Sequence, residues 1–232
     1  MKQLPSFLLA ILCLATLAPK MAKDNGFVLL FPKEGPVTEG WTVSTWSDVG
    51  KPAEKEAKWL VDKEGILHGS TPRGTWLVSK KLYGDFILDF EWKLGEKGNS
   101  GCGVRFPDAG DPAFDGLEIQ MCDPRYNNPP DTADKLTGSL YMAIAPRKQV
   151  YKPTDWNHYT ITCQGPKVKV VLNGETIQDI NLDEHNKPLK RHGNQPAPPL
   201  SQRPRKGHIG FQELSRGGTQ VMIRNAKITV LD

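Results

Sequence analysis

Two runs, Asn99–Phe106 and Gly116–Asp123, hold the side chains best suited to chemistry. If Gly116–Cys122 is a strand, alternation puts Glu118, Gln120 and Cys122 on one face and Leu117, Ile119 and Met121 on the other. The apolar face is the core face, so Glu118 and Gln120 point away from it. In the first run Val104 takes the core side, which leaves Arg105 beside Glu118. A carboxylate, an amide and a guanidinium gathered this way can accept a proton, hold a hydroxyl and steady a developing negative charge. Outer sheet faces are polar in any case, so the neighbours matter. His208 and Gln212 alternate against Ile209 and Phe211, Tyr141 follows Ser139-Leu140, and Trp156 and His158 fall in one short segment. Polar groups beside aromatic rings suit a carbohydrate, whose hydroxyls take forked hydrogen bonds while its apolar ring face stacks.

The elements that must position these residues are strands. Segments with strand character are Phe27–Phe31, Trp59–Val61, Ile66–His68, Thr75–Ser79, Asp85–Lys93, Gly103–Phe106, Gly116–Cys122, Ser139–Ile144, Asn157–Gln164, Lys167–Leu172, Glu175–Asn181, Gly207–Leu214 and Gln220–Leu231. Asn173-Gly174 between two of them is the strongest hairpin signal. Many short strands with Gly- and Pro-rich turns, no internal repeat and no long helix predict an all-β sandwich or jelly roll. Residues 123–138 read as a loop, and 183–206, with five prolines and scattered basic residues, as a long solvated connection.

Composition narrows the function classes. Lys and Arg are mixed with Asp and Glu along the 232 residues, for a net charge of +4; no basic stripe of the kind nucleic acid requires is present. Residues 1–22 read as a signal peptide: Lys2 precedes an apolar run from Phe7 to Ala18, and about twelve residues suit an export segment better than a membrane span. The expectation is therefore a secreted or periplasmic protein with one domain over 23–232 and no membrane contact beyond its export signal. Removing Cys13 would leave Cys102, Cys122 and Cys163, an odd number. Strand parity puts Cys102 inside and Cys122 on the opposite face, which argues against a disulfide between them.

The order of several segments resembles the 3-keto-disaccharide hydrolase family. They are Gly40-Trp41, Asp62–His68, Tyr83–Phe86, Asn99-Ser100-Gly101 with Arg105, Glu118-Ile119-Gln120 with Asp123, Gly138–Tyr141, Asp155-Trp156-Asn157, Asn173-Gly174, Gly207–Gln212 and Arg224-Asn225. The family often carries His-Gly where Leu214-Ser215 stand here. The resemblance implies a concanavalin A-like jelly-roll β-sandwich acting on glycosides oxidised at C3. The ketone acidifies the C2 hydrogen, so one base can drive elimination at C1. Glu118 is then the expected base, with His158 or His208 as alternatives, and Arg105 the stabiliser of the enolate. Gln120, Tyr141, Trp156, His208 and Gln212 would hold the sugar. No cofactor is called for by the residues themselves; a divalent cation near Asp123 is the candidate that would assist or replace Arg105. Two rivals remain. A retaining glycosidase would need a second carboxylate beside Glu118, but Gln120 cannot titrate and Asp123 falls on the opposite face of a regular strand. A non-catalytic, lectin-like glycan-binding module is the alternative. The resemblance leaves the linkage, leaving group and oligomeric state open.

Overall fold

The computed structural model describes residues 26–128, 131–217 and 219–231, so residues 1–22, expected from the sequence to be a signal peptide, and Cys13 lie outside the described residues. Two antiparallel sheets pack face to face in a jelly-roll sandwich. The back sheet is built around Phe86–Lys93, flanked by Asn157–Gln164 and Met222–Val230. The front sheet runs, edge to edge, through Leu117–Cys122, Asn99–Phe106, His208–Glu213, Thr75–Ser79, Trp41–Thr45 and Asp48–Pro52.

Alternation fills the space between them. Phe86, Leu88, Phe90 and Trp92 of the back sheet meet Cys102, Val104, Leu117, Ile119, Met121, Ile209 and Phe211 of the front sheet in one buried cluster. Phe90 meets Phe211 edge-on with ring centroids 5.1 Å apart, a favoured aromatic geometry. Tyr159 reaches across from the back sheet and donates its hydroxyl to Gln120 O at 3.0 Å. That bond satisfies a buried phenol and fixes the strand that carries Glu118.

Most predicted strands form. Asn157–Gln164, Lys167–Leu172 and Glu175–Asn181 appear with their predicted limits, and Asn173 and Gly174 both take positive φ at the hairpin turn. Ser139–Ile144 differs: it makes only isolated bridges through Leu140. Its backbone nevertheless shields the front-sheet edge, since Gln120 N donates to Ser139 O and Tyr141 N to Glu118 O. Trp41–Thr45 and Asp48–Pro52 are strands without a strong local signal. Their Ser, Thr and Gly content conceals them, and pairing with Thr75–Ser79 decides the matter. Cys102, Cys122 and Cys163 are all buried free thiols.

Arg105 overturns one expectation. Its φ is +53°, and the pairing with His208–Glu213 shifts there, with His208 opposite Phe106 and Ile209 opposite Val104. This bulge reverses the parity beyond Val104. Phe106 therefore turns outward against Trp76, while Arg105 is buried at the end of the sandwich. Its Nε donates to Gly84 O at 2.8 Å, Nη1 to Gly165 O at 2.6 Å and Nη2 to Asp85 at 2.9 Å. Arg105 thus joins the front sheet to two turns of the back sheet and does not lie beside Glu118.

Candidate active site

Glu118 sits on the outer face of the front sheet yet is only 4% exposed. Its carboxylate leans inward over the neighbouring strand, across Gly101. A Cβ at position 101 would stand 1.9 Å from Glu118 Oε1, so the absence of a side chain there creates the seat. Gly103 likewise leaves room for the rings of Phe106 and Trp76. No protein donor among the described residues bonds the Glu118 carboxylate. Burial, with the nearby Asp111 carboxyl adding to it, pushes its pKa well above the ordinary range.

Around Glu118 a narrow recess of about 40 Å³ is lined by Trp46, Asn99, Asp111, Gln120, Tyr141, His192, Gln212 and other side chains. Asp111 begins the short helix Pro112–Asp115, accepting from Ala113 N at 3.0 Å through Oδ1. Asp-Pro at a helix start suits both residues, one as cap and the other as first helical residue. Burial, with the Asp115 charge adding to it, raises Asp111 to about 6 despite that bond. Tyr141 is held protonated first by burial and then by the charge of Glu118, so its hydroxyl remains a donor. Asn99 Oδ1 is buried without a partner, and a buried amide oxygen in that condition is available to a ligand.

The 183–206 connection is not a bland solvated loop. Arg191 clamps both oxygens of Asp115, and Arg203 Nη1 donates to Ala113 O and Gly116 O at 2.9 and 2.8 Å. These bonds press the loop onto the short helix and bring His192 over Phe114, with ring centroids 5.5 Å apart. Tyr141 lies 6.3 Å from the same ring. Asp111 and His192 therefore belong to the recess, although they had no strand pattern to announce them. The one sequence signal for Asp111 was the Asp-Pro helix start.

Of the residues singled out by sequence, Glu118, Gln120, Tyr141 and Gln212 converge in the recess. The others do not. His158 lies on the back sheet, bonded to Asp89 at 2.9 Å, and Trp156 packs under Arg224 on that sheet, 4.0 Å from ring centroid to guanidinium carbon. His208 shares the front sheet but is held between Ser79 O and Asp108, at 2.5 and 2.7 Å. Asp123 is buried and both its carboxylate oxygens are engaged by Arg125. That donor set does not fit a cation, and among the described residues no group of three or more His, Cys, Asp or Glu side chains is placed to hold one. The carboxyl that couples to Glu118 is Asp111, not Asp123. Leu214, standing where a His-Gly pair was expected, lines the recess with an apolar side chain.

A jelly-roll sandwich with a carboxylate buried in a polar, aromatic-walled recess is the frame of a carbohydrate-active protein. Residues 26–229 match the 3-keto-alpha-glucoside-1,2-lyase-like domain, and the chain belongs to that family. Among solved structures it is similar to a "putative glycosyl hydrolase" of Parabacteroides distasonis, with 26% identity over 89% of this chain and 100% of that one and a TM-score of 0.71. A second protein of the same description and organism shares 25% identity over 89% and 95% of the two chains, with a TM-score of 0.68. None of the curated proteins matches the chain. Among the described residues no helix is long and apolar enough to cross a membrane.

Proposed function

We propose that the protein cleaves 3-keto-glycosides by elimination, with Glu118 as the base. The carrying observation is a buried carboxylate with no protein partner, raised in pKa and seated at the floor of the recess. A base of raised pKa is matched to a carbon acid such as the C2 hydrogen beside a C3 ketone. Glu118 takes that proton, the C1–O bond breaks with its electron pair leaving on the glycosidic oxygen, and a C1=C2 double bond forms. The leaving oxygen gains a proton, and later addition of water across the double bond gives net hydrolysis. With Arg105 remote, the donors available to the developing enolate oxygen are the Tyr141 hydroxyl and the side-chain amides of Gln120 and Gln212.

Family membership supports this substrate class, and the likeness to the two Parabacteroides distasonis proteins supports a glycoside substrate in the broad sense. The test is turnover of a chromogenic 3-keto-glucoside in both anomeric forms. Glu118→Gln is expected to lower kcat by about 10²–10⁴-fold, the range of a lost general base. Full activity in that variant would refute the assignment. Binding of an unmodified glycan without turnover of any 3-keto-sugar would point to a glycan-binding module. Export through residues 1–22 is part of the same proposal, and N-terminal sequencing of the protein recovered outside the cytoplasm tests it.

A further inference from the structure

The recess has two unlike sides. Toward the edge strand Leu117–Cys122 stand Asp111, Tyr141 and His192; on the far side stand Trp46 and Leu214. Trp46 follows the strand Trp41–Thr45 and Leu214 follows His208–Glu213. The backbone of Gly74 ties the two together: Trp46 N donates to Gly74 O at 3.0 Å, and Gly74 N to Glu213 O at 2.7 Å. Trp46 O also accepts from Trp76 Nε1 at 3.0 Å. Leu214 N donates to Asn99 O at 2.9 Å, and Arg73 donates to Leu214 O. An indole and an isobutyl group thus stand side by side on fixed backbone, with Trp46 40% exposed at the mouth.

We infer that Trp46 and Leu214 form the subsite for the leaving group, and that this group presents a flat ring face, either an arene or the C–H face of a sugar. The assignment rests on the elimination reading and names the class of substrate for it. Size carries the first part. The recess of about 40 Å³ has room for roughly three water-sized groups, each needing at least about 10–15 Å³. One edge of the keto ring fills it when C2 reaches the Glu118 carboxylate, so the group on the adjacent C1 lies at the mouth. Chemistry carries the second part. The ketone and hydroxyls of the keto ring match the polar lining of Gln120, Gln212, Tyr141 and the unpartnered Asn99 Oδ1. The Trp46 and Leu214 wall offers little hydrogen bonding, and a flat apolar face gains burial and stacking there. Leu214 stands where a histidine was expected; its side chain has neither donor nor acceptor and extends the apolar wall.

The test varies the leaving group. Phenyl, glucosyl and methyl 3-keto-glucosides are assayed with the unmodified protein, Trp46→Ala and Trp46→Phe. Both hydrogen bonds of Trp46 are made by its backbone, so alanine leaves the turn in place. In Trp46→Ala the KM of the phenyl or glucosyl substrate should rise about 10-fold more than that of the methyl substrate, the scale of one lost aromatic contact. Phenylalanine should restore most of that difference, and Leu214→Ala should move the same ratio in the same direction. A selective rise for phenyl identifies an arene as the occupant, and one for glucosyl identifies a sugar. An equal rise for all three would overturn the assignment and put the keto ring against Trp46, while the Glu118 elimination stands. Unchanged KM values for all three would overturn it as well. If the unmodified protein turns over none of them, the elimination reading falls and this assignment with it.

Discussion

Gly101→Ala tests the seat of Glu118 directly. The added Cβ would lie 1.9 Å from Glu118 Oε1 and 2.7 Å from its Cδ. Ordinary contact begins near 3.4 Å, so the carboxylate must retreat by about 1.5 Å or the two strands must part. Gly101 is not among the residues with positive φ, so alanine fits its backbone without strain and the chain should fold. Crowding a packed site costs about 1–3 kcal/mol of stability, offset in part by about 0.4–1 kcal/mol from the stiffer unfolded chain. The catalytic loss should be larger. Misplacing a base by about 1 Å can cost about 10²-fold in rate, equivalent to about 2.7 kcal/mol of barrier. The assay is kcat on a chromogenic 3-keto-glucoside, with urea unfolding to follow stability. Gly103→Ala is the control, because its Cβ would meet the rings of Phe106 and Trp76 at 2.9 and 3.1 Å and not the carboxylate. Normal kcat in Gly101→Ala, or the same fractional loss in both variants, would refute the reasoning.

Arg105→Met should act on stability and not on chemistry: it orphans two turn carbonyls and Asp85, costing about 2–4 kcal/mol. Denaturation should show that loss, while kcat of the folded fraction stays within about 2-fold; a selective fall in kcat would restore a catalytic role. His158→Ala and Trp156→Ala, on the far sheet, should change KM and kcat by less than about 2-fold; a large rise in KM would place the sugar there instead. The pH dependence of stability has a definite sign. Glu118 and Asp111 both have folded-state pKa values raised above the unfolded ones, so the folded state binds more protons. Stability is therefore lost as pH rises from about 4, through about 6 for Asp111 and beyond for Glu118. Glu118→Gln should unfold at higher urea than the parent at pH 8 and show a smaller advantage at pH 4; equal midpoints at pH 8 would contradict the buried, unpartnered carboxylate.

Sequence by itself determined the sandwich and four of the ten residues that line the recess. Period two separated Leu117, Ile119 and Met121 from Glu118 and Gln120, and the same rule placed Gln212 opposite Phe211 and kept Cys102 from Cys122. Alternation is a local property of extended backbone, so it can be read without knowing the partner strand. Tertiary structure decided the rest. The bulge at Arg105 is a pairing defect with His208–Glu213, and one extra residue there turned the guanidinium away from Glu118 and into the turns at Gly84-Asp85 and Gly165. His158 and Trp156 have the right chemistry but sit on the other sheet, and sheet membership depends on long-range pairing. Asp111 and His192 come from irregular segments with no periodicity, held together by Arg191, Asp115 and Arg203. A loop's position is set by such distant hydrogen bonds, which leave no pattern in the chain around them.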